Sequence, residues 1–308
     1  MLNAPAAPTY RSGTASVAPG GTCSADEARG AALQFLGELA AEVSTGTVDL
    51  PCFPNIVIRI RNALADPKST PEQTVTIVGA EPRLAARLLQ TANSAAFNPS
   101  GKPLTDLRTA ITRLGHQLVQ CAAMAFAVQH MKDENSLRSI AKPLTALWKE
   151  SIAVASICQV VARRTRVSPD EAFLTGLLHG IGRLYIMVRS VGKMGTLGDS
   201  VAFLDLVSSW HSSIGKTVLE NWGFAEEMSA AVGDQGDRAR RRKQEADLSD
   251  IMVVSIVLGE ALDMPVPRTV NVGTTAAFAT IGLSAQDCAT ILTHSEYQLG
   301  SLQDALGC

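Results

Sequence analysis

The sequence predicts an all-α protein, and three observations support this fold class. Helix-start signals followed by apolar residues at helical spacing recur along the whole 308-residue chain. No stretch shows the sustained apolar–polar alternation between tight turns that is typical of paired strands. Aromatic residues make up only 5% of a chain that is 46% hydrophobic, so aliphatic and small side chains must fill the core. This composition favours close-packed helices.

Several helix starts in the first half can be placed by their capping residues. Ser24 and Glu27 have capping-box spacing. The apolar stripe predicted for that helix consists of Leu33, Leu36, Leu39, Ala40 and Val43. Thr70 precedes a proline and an acid, and Glu81-Pro82 opens another helix. Helical segments over 105–114 and 116–131 are divided near Gly115.

The second half continues the same pattern. A long helix is predicted from Pro143 to about Thr165. Ser168-Pro169-Asp170-Glu171 then combines a capping serine, a first-turn proline and two acids at the positive end of the helix dipole. Further helices are expected over 169–179, 181–189, 200–221, 225–234, 248–263, 271–281 and 285–305.

The predicted domain organisation has a tail and two packed helical lobes. Residues 1–23 lack the apolar stretch of a signal peptide, and we expect a disordered tail. The polar segment 132–136 separates a lobe over 24–135 from a second lobe over 136–308. No run of 18 apolar residues is present, so we expect no membrane span and no membrane partner.

Charge and cysteine usage narrow the function classes. A net charge of −2 implies no global attraction to nucleic acid or anionic lipid. The six cysteines contain no CxxC pair, which argues against a structural zinc site and favours a reducing cytoplasm. Cys121 and Cys158 lie in apolar helical patterns and are predicted to be buried.

Three passages, which include Leu50-Pro51, Glu81-Pro82 and the LLHGIG segment at 177–182, together resemble the HDOD family, the HD-related output domains, over residues 48–260. The first joins Leu50-Pro51 and Pro54 to Glu81-Pro82-Arg83-Leu84 and the segment 88–94, which ends in Asn93-Ser94; a family Asp-Pro pair is replaced here by Glu81-Pro82. The second is Ala110-Ile111 with Leu114-Gly115. The third joins Leu147-Trp148 and Ala172-Phe173 to the segment 176–182, which includes LLHGIG. The resemblance implies that the second lobe is a degenerate HD-like helical bundle.

The LLHGIG passage is similar to the LLHDIG signature of catalytic HD domains, in which adjacent His and Asp residues bind a metal. That metal activates water for phosphoester hydrolysis. Here His179 is present, but Gly180 stands at the position of the paired Asp. The upstream family His corresponds to Glu150, and the distant Asp falls near Glu260. Asp234 occupies a family His-pair position, and His211 matches another family His.

The loss of the central carboxylate predicts no catalytic residues, no bound metal, no cofactor and no enzymatic activity. His179 is expected instead to form a hydrogen bond at a helix end, and Gly180 and Gly182 to shape the junction between two helices. A makeshift metal site of Glu150, His179 and Glu260 is the alternative, and it would give a residual phosphohydrolase.

The resemblance implies a cytoplasmic bacterial signalling regulator that acts through a protein partner. Family links to motility, stress responses and cyclic di-GMP signalling belong to the same expectation, and a nucleotide second messenger stays open as a ligand.

A basic run is the second candidate contact surface, for a partner or for phosphate. It consists of Arg238, Arg240, Arg241, Arg242 and Lys243. The simpler interpretation is a solvated, mobile segment balanced by nearby acids. Aromatic residues for base stacking are lacking, so nucleic-acid binding is a further alternative and not the prediction. The three tryptophans Trp148, Trp210 and Trp222 are expected to be core anchors, and Asn93-Ser94 to tie helix ends through bonds to the backbone.

Overall fold

The computed structural model describes residues 25–44, 50, 53–66, 68–94, 97–98, 101–193, 201–240, 245–262 and 270–306. Regular structure within these ranges is entirely helical, which confirms the predicted fold class. The α-helices are α1 (Ala25–Ser44), α2 (Asn55–Ala65), α3 (Pro71–Gly79), α4 (Pro82–Ala92), α5 (Leu107–Asp133), α6 (Ala141–Ala162), α7 (Pro169–Leu178), α8 (Ile181–Ser190), α9 (Val201–Asn221), α10 (Glu226–Gly233), α11 (Leu248–Leu262), α12 (Ala276–Ile281) and α13 (Ala285–Leu306), with a 3₁₀ helix at Asn135–Ile140.

The helix starts predicted from capping residues are confirmed where the structure describes them. At α7 the Ser168 hydroxyl accepts a hydrogen bond from the Glu171 N–H at 3.4 Å, and Pro169 takes the first helical position. At α3 the Gln73 side chain accepts from the Thr70 N–H at 3.1 Å. These contacts satisfy backbone donors that have no partner inside the helix.

Gly115 interrupts α5, as its position in the sequence predicts. Its φ of 74° and ψ of 169° lie outside the helical region, and glycine reaches this positive φ without steric cost. The chain therefore changes direction between two helical stretches. The Asn93 amide ties down the connection before α5, since it donates to the Leu104 carbonyl at 2.8 Å and accepts from the Leu104 N–H at 2.7 Å.

Two hydrophobic clusters meet at α6. One is continuous across the predicted boundary at 132–136, since it joins Leu88 of α4 to Tyr185 of α8. The other surrounds α11 and includes Met252, Phe278 and Ile291. Because α6 contributes to both clusters, it is the central helix that positions the candidate site.

The predicted apolar stripe of α1 is wrong at Leu33 and confirmed at Leu39, while the side chains of Leu36, Ala40 and Val43 lie outside the described ones. Leu33 is 56% exposed, whereas Ala32, Phe35 and Leu39 are buried. The reason is packing against α9, where the Phe35 and Phe203 ring centroids are 6.3 Å apart. Trp210 of α9 was expected in the core and is 43% exposed instead, although Trp148 is buried as predicted.

Cys121 and Cys158 are buried as predicted, and burial raises the pKa of the Cys158 thiol to about 12. One described stretch, Asn135–Ala162, is long and apolar enough for a membrane span. Two thirds of its most apolar window, 67%, is buried inside the protein, as in the core helix of a bundle. The predicted tail at 1–23 lies outside the described residues.

Candidate functional site

The LLHGIG passage forms the junction between α7 and α8. α7 ends at Leu178 and α8 begins at Ile181, and the His179 side chain between them is fully buried. Its Nδ1 atom lies 2.8 Å from the Gly176 carbonyl oxygen. A carbonyl can only accept, so Nδ1 carries the proton and donates it. This is the hydrogen bond at a helix end that the sequence predicts.

Arg183 fills the space in front of the other ring nitrogen of His179. An Nη2 atom of Arg183 lies 3.0 Å from His179 Nε2, and the guanidinium also donates to both carboxylate oxygens of Glu150 at 2.8 and 2.6 Å. The separation between His179 Nε2 and Glu150 Oε1 is longer, at 3.5 Å. A guanidinium can only donate, so Nε2 accepts and His179 is neutral.

The same cluster sets the ionisation of two neighbours. Burial raises the pKa of the Glu150 carboxyl, but the hydrogen bonds and the positive charge of Arg183 bring it down to about 2. Burial, together with the positive charge of Arg183, lowers the pKa of His211 to about 4. At neutral pH the cluster therefore holds a carboxylate, a guanidinium and a neutral His211.

Gly180 packs closely against Leu147 of α6. A Cβ atom at this position would lie 2.6 Å from Cδ1 of Leu147, so an aspartate here would require that leucine side chain to move. At Gly182 a Cβ atom would lie 1.9 Å from the His211 carbonyl oxygen. Both glycines therefore serve close helix packing, and Gly182 lies inside α8 instead of breaking the chain between helices.

The structure brings three of the six sequence-predicted positions to Arg183, together with the backbone of a fourth. Glu150, His179 and His211 surround the guanidinium, and Gly180 is next to His179. Asp234 and Glu260 face other arginines instead. Among the described residues, no three His, Cys, Asp or Glu side chains are grouped to hold a metal ion. The available donors therefore do not fit the metal of a catalytic HD domain, and the makeshift set with Glu260 does not form.

Two residues of the basic run are described, of which Arg238 is exposed as predicted and Arg240 is not. Arg238 is paired with Glu260. Arg240 is only 9% exposed and reaches Asp234 at 2.8 Å, Asp247 at 3.0 Å and Asp250 at 3.1 Å. The guanidinium can be buried because its attraction to three carboxylates compensates for its loss of hydration. Arg241, Arg242 and Lys243 lie outside the described residues.

Sequence reasoning missed Arg183 and Asp250, although each carries a local signal. Arg183 is four residues after His179, the spacing at which helical neighbours meet. Asp247 and Asp250 have capping-box spacing before α11, and each carboxylate accepts from the backbone N–H of the other at 2.9 and 3.2 Å.

Solved structures share the helical fold of this chain, which is of the HD-like class. The chain is similar to a candidate metal-dependent phosphohydrolase from Shewanella amazonensis SB2B, with a TM-score of 0.64 and 20% identity over 90% of this chain and 99% of that one. A candidate signal transduction protein from Marinobacter aquaeolei VT8 matches with a TM-score of 0.61 and 18% identity over 91% of this chain and 66% of that one.

The family model for the HDOD domain matches residues 50–237, more than half of the chain. The protein therefore belongs to the HDOD domain family. It is also 22% identical over 204 residues to an uncharacterised protein of Treponema pallidum (strain Nichols). That match spans 61% of this chain and 38% of the length of the relative.

Proposed function

We propose that this protein is a non-catalytic signalling regulator that works in the cytoplasm by binding a protein partner. The observation that carries the proposal is the position of the Arg183 guanidinium, which donates hydrogen bonds to Glu150 and to His179 Nε2. The guanidinium already engages the His179 ring nitrogen that would otherwise be free to bind a metal. A guanidinium offers no open coordination position and cannot lower the pKa of a bound water as a metal does.

Two further features support the same proposal. Leu147 packs against Gly180, so a carboxylate at this position would have to displace a leucine side chain. The solved structure from Marinobacter aquaeolei is named for signal transduction, which agrees with a regulatory role. Output in motility, stress or cyclic di-GMP linked signalling is part of the proposal and rests on the family resemblance alone.

Turnover measurements test the non-catalytic part. Cyclic di-GMP, nucleotides and a generic phosphodiester should be hydrolysed only at the background rate, with and without Mn²⁺. Hydrolysis that rises with Mn²⁺ and falls in Glu150→Ala or Glu260→Ala would instead identify a residual phosphohydrolase. Arg166→Ala is a matched control, because Arg166 pairs with Glu245 at the surface, away from the cluster.

Affinity capture from the native host, followed by mass spectrometry, tests the partner-binding part. Trp210 is the first residue to change, because a tryptophan that is 43% exposed is unusual and tryptophans are enriched at energetically dominant interface positions. Trp210→Ser should reduce capture of the partner and leave folding intact. Equal recovery with both proteins would remove this face of α9 from the proposed interface.

A further inference from the structure

A cleft lies on another side of α6. It has a volume of about 730 Å³ and is lined by α4, α5 and α6. The described residues that matter for its chemistry are Arg83, Arg87, Phe126, Lys132 and Lys149. Its size falls in the range of about 300–1,000 Å³ that is typical of small-molecule sites. Glu150, His179, Arg183 and His211 are not among its lining residues, so it is separate from the HD-like site.

The described lining of this cleft carries a net positive charge. Arg83 is paired with Asp133 at 3.0 Å. Arg87, Lys132 and Lys149 form no ion pair with any described carboxylate, and no Asp or Glu is found among the described lining residues. Like charges in a concave, low-dielectric site focus the field and attract anions. The cleft therefore has the electrostatics of an anion site.

An aromatic ring lies on the same wall as these cations. Phe126 is half-buried and stacks on His130, with ring centroids 6.1 Å apart. Gln90 and Gln129 add amide groups to the lining. Cations for phosphate, amides for polar edges and an aromatic face for stacking together match the chemistry of a nucleotide.

We propose that the cleft between α4, α5 and α6 binds a nucleotide, with its phosphates against Arg87, Lys132 and Lys149 and its base against Phe126. This proposal stands independently of the non-catalytic assignment, because the two sites share none of these side chains. α4 and α5 belong to the segment 24–135, and α6 belongs to the segment 136–308. A nucleotide in the cleft therefore contacts helices on both sides of the 132–136 boundary, and its binding can affect the packing of α4 and α5 against α6.

Calorimetric titration of the full chain at low ionic strength tests the proposal, with ATP, GTP, tripolyphosphate and hexaglutamate as probes. ATP or GTP should bind saturably, with one site per chain, and more tightly than tripolyphosphate, because the ring adds stacking. Lys149→Ala and Lys132→Ala should each weaken nucleotide binding about tenfold, as expected for the loss of one charged hydrogen bond. Lys142→Ala is the matched control: it removes the same charge from α6 at a position that does not line the cleft.

Phe126→Leu separates the ring from the charges. It should weaken nucleotide binding and leave tripolyphosphate binding unchanged, with folding checked by circular dichroism. No saturable binding of ATP or GTP would overturn the proposal. Equal losses in Lys142→Ala and Lys149→Ala would also overturn it, since they would show only non-specific attraction. Hexaglutamate or tripolyphosphate binding as tightly as the nucleotides would rule out base recognition and assign the cleft to another class of anion.

Discussion

Arg183 and Arg240 are each surrounded by carboxylate or imidazole groups, but they differ in what they neutralise. Arg183 bridges one half-exposed carboxylate and one buried histidine, at the position of the HD signature. Arg240 is nearly buried and holds three aspartates, one of which is 1% exposed. Arg240 therefore acts mainly on folding, because it compensates buried charge. Arg183 compensates less buried charge, and under the proposed function it takes the place of a metal at the HD-like site.

The largest effect is expected at Arg240. Arg240→Ala leaves Asp250 buried without its cation and should lower the free energy of unfolding by about 3–5 kcal/mol. Arg238→Ala is the control, since it breaks the exposed pair with Glu260 and should cost about 0–1 kcal/mol. Urea denaturation of both variants measures the difference. Similar small losses of unfolding free energy in both variants would contradict the larger contribution of Arg240 to stability.

The packing below the Arg183 cluster is tested next. Leu177, Leu178 and Ile181 are buried as predicted around the glycine junction. Leu178→Ala should destabilise the protein by about 2–5 kcal/mol, the usual range for a buried leucine. A loss below about 1 kcal/mol in the same denaturation assay would contradict the assignment of this helix face.

A smaller effect is expected at Arg183 itself. Arg183→Ala leaves the buried His179 Nε2 without its donor, which should cost about 1–3 kcal/mol, the usual penalty for an unpaired buried polar group. Arg166→Ala, at an exposed pair, should cost about 0–1 kcal/mol. Equal losses of unfolding free energy in Arg183→Ala and Arg240→Ala would contradict the claim that Arg240 contributes more to folding.

The smallest expected effect is the change of stability with pH. The pKa of His211 falls from 6.5 to about 4 on folding, so the unfolded chain binds a proton in this window that the folded chain does not. Stability should therefore decrease as the pH drops from about 6.5 towards 4. The Glu150 carboxyl, with a folded-state pKa of about 2, adds a further loss below pH 4.5.

Thermal unfolding between pH 7 and pH 4 measures this effect. His211→Gln should flatten the upper part of the profile, because it removes the group whose protonation disfavours folding. His294→Gln changes an exposed histidine and should leave the slope unchanged. An unchanged slope in His211→Gln would show that the histidine is not held neutral by its surroundings.

Local sequence signals predicted much of the fold and part of the site. Ser168, Pro169 and Gly115 act through their own backbone neighbourhoods, so their effects could be predicted from a few residues. Leu33 and Trp210 could not be placed, because which face of α1 or α9 is buried depends on a helix distant in sequence. The contact between Glu150 and Arg183 was missed for a similar reason, because the two residues are 33 positions apart in the sequence.

Metal content tests the central claim most directly, namely that Arg183 takes the place of a metal in the HD-like site. Protein purified without chelator should contain far less than one equivalent of Fe, Mn, Zn or Mg by elemental analysis. His179→Ala should not change that content. About one metal ion per chain in the unmodified protein, lost in His179→Ala, would contradict the account.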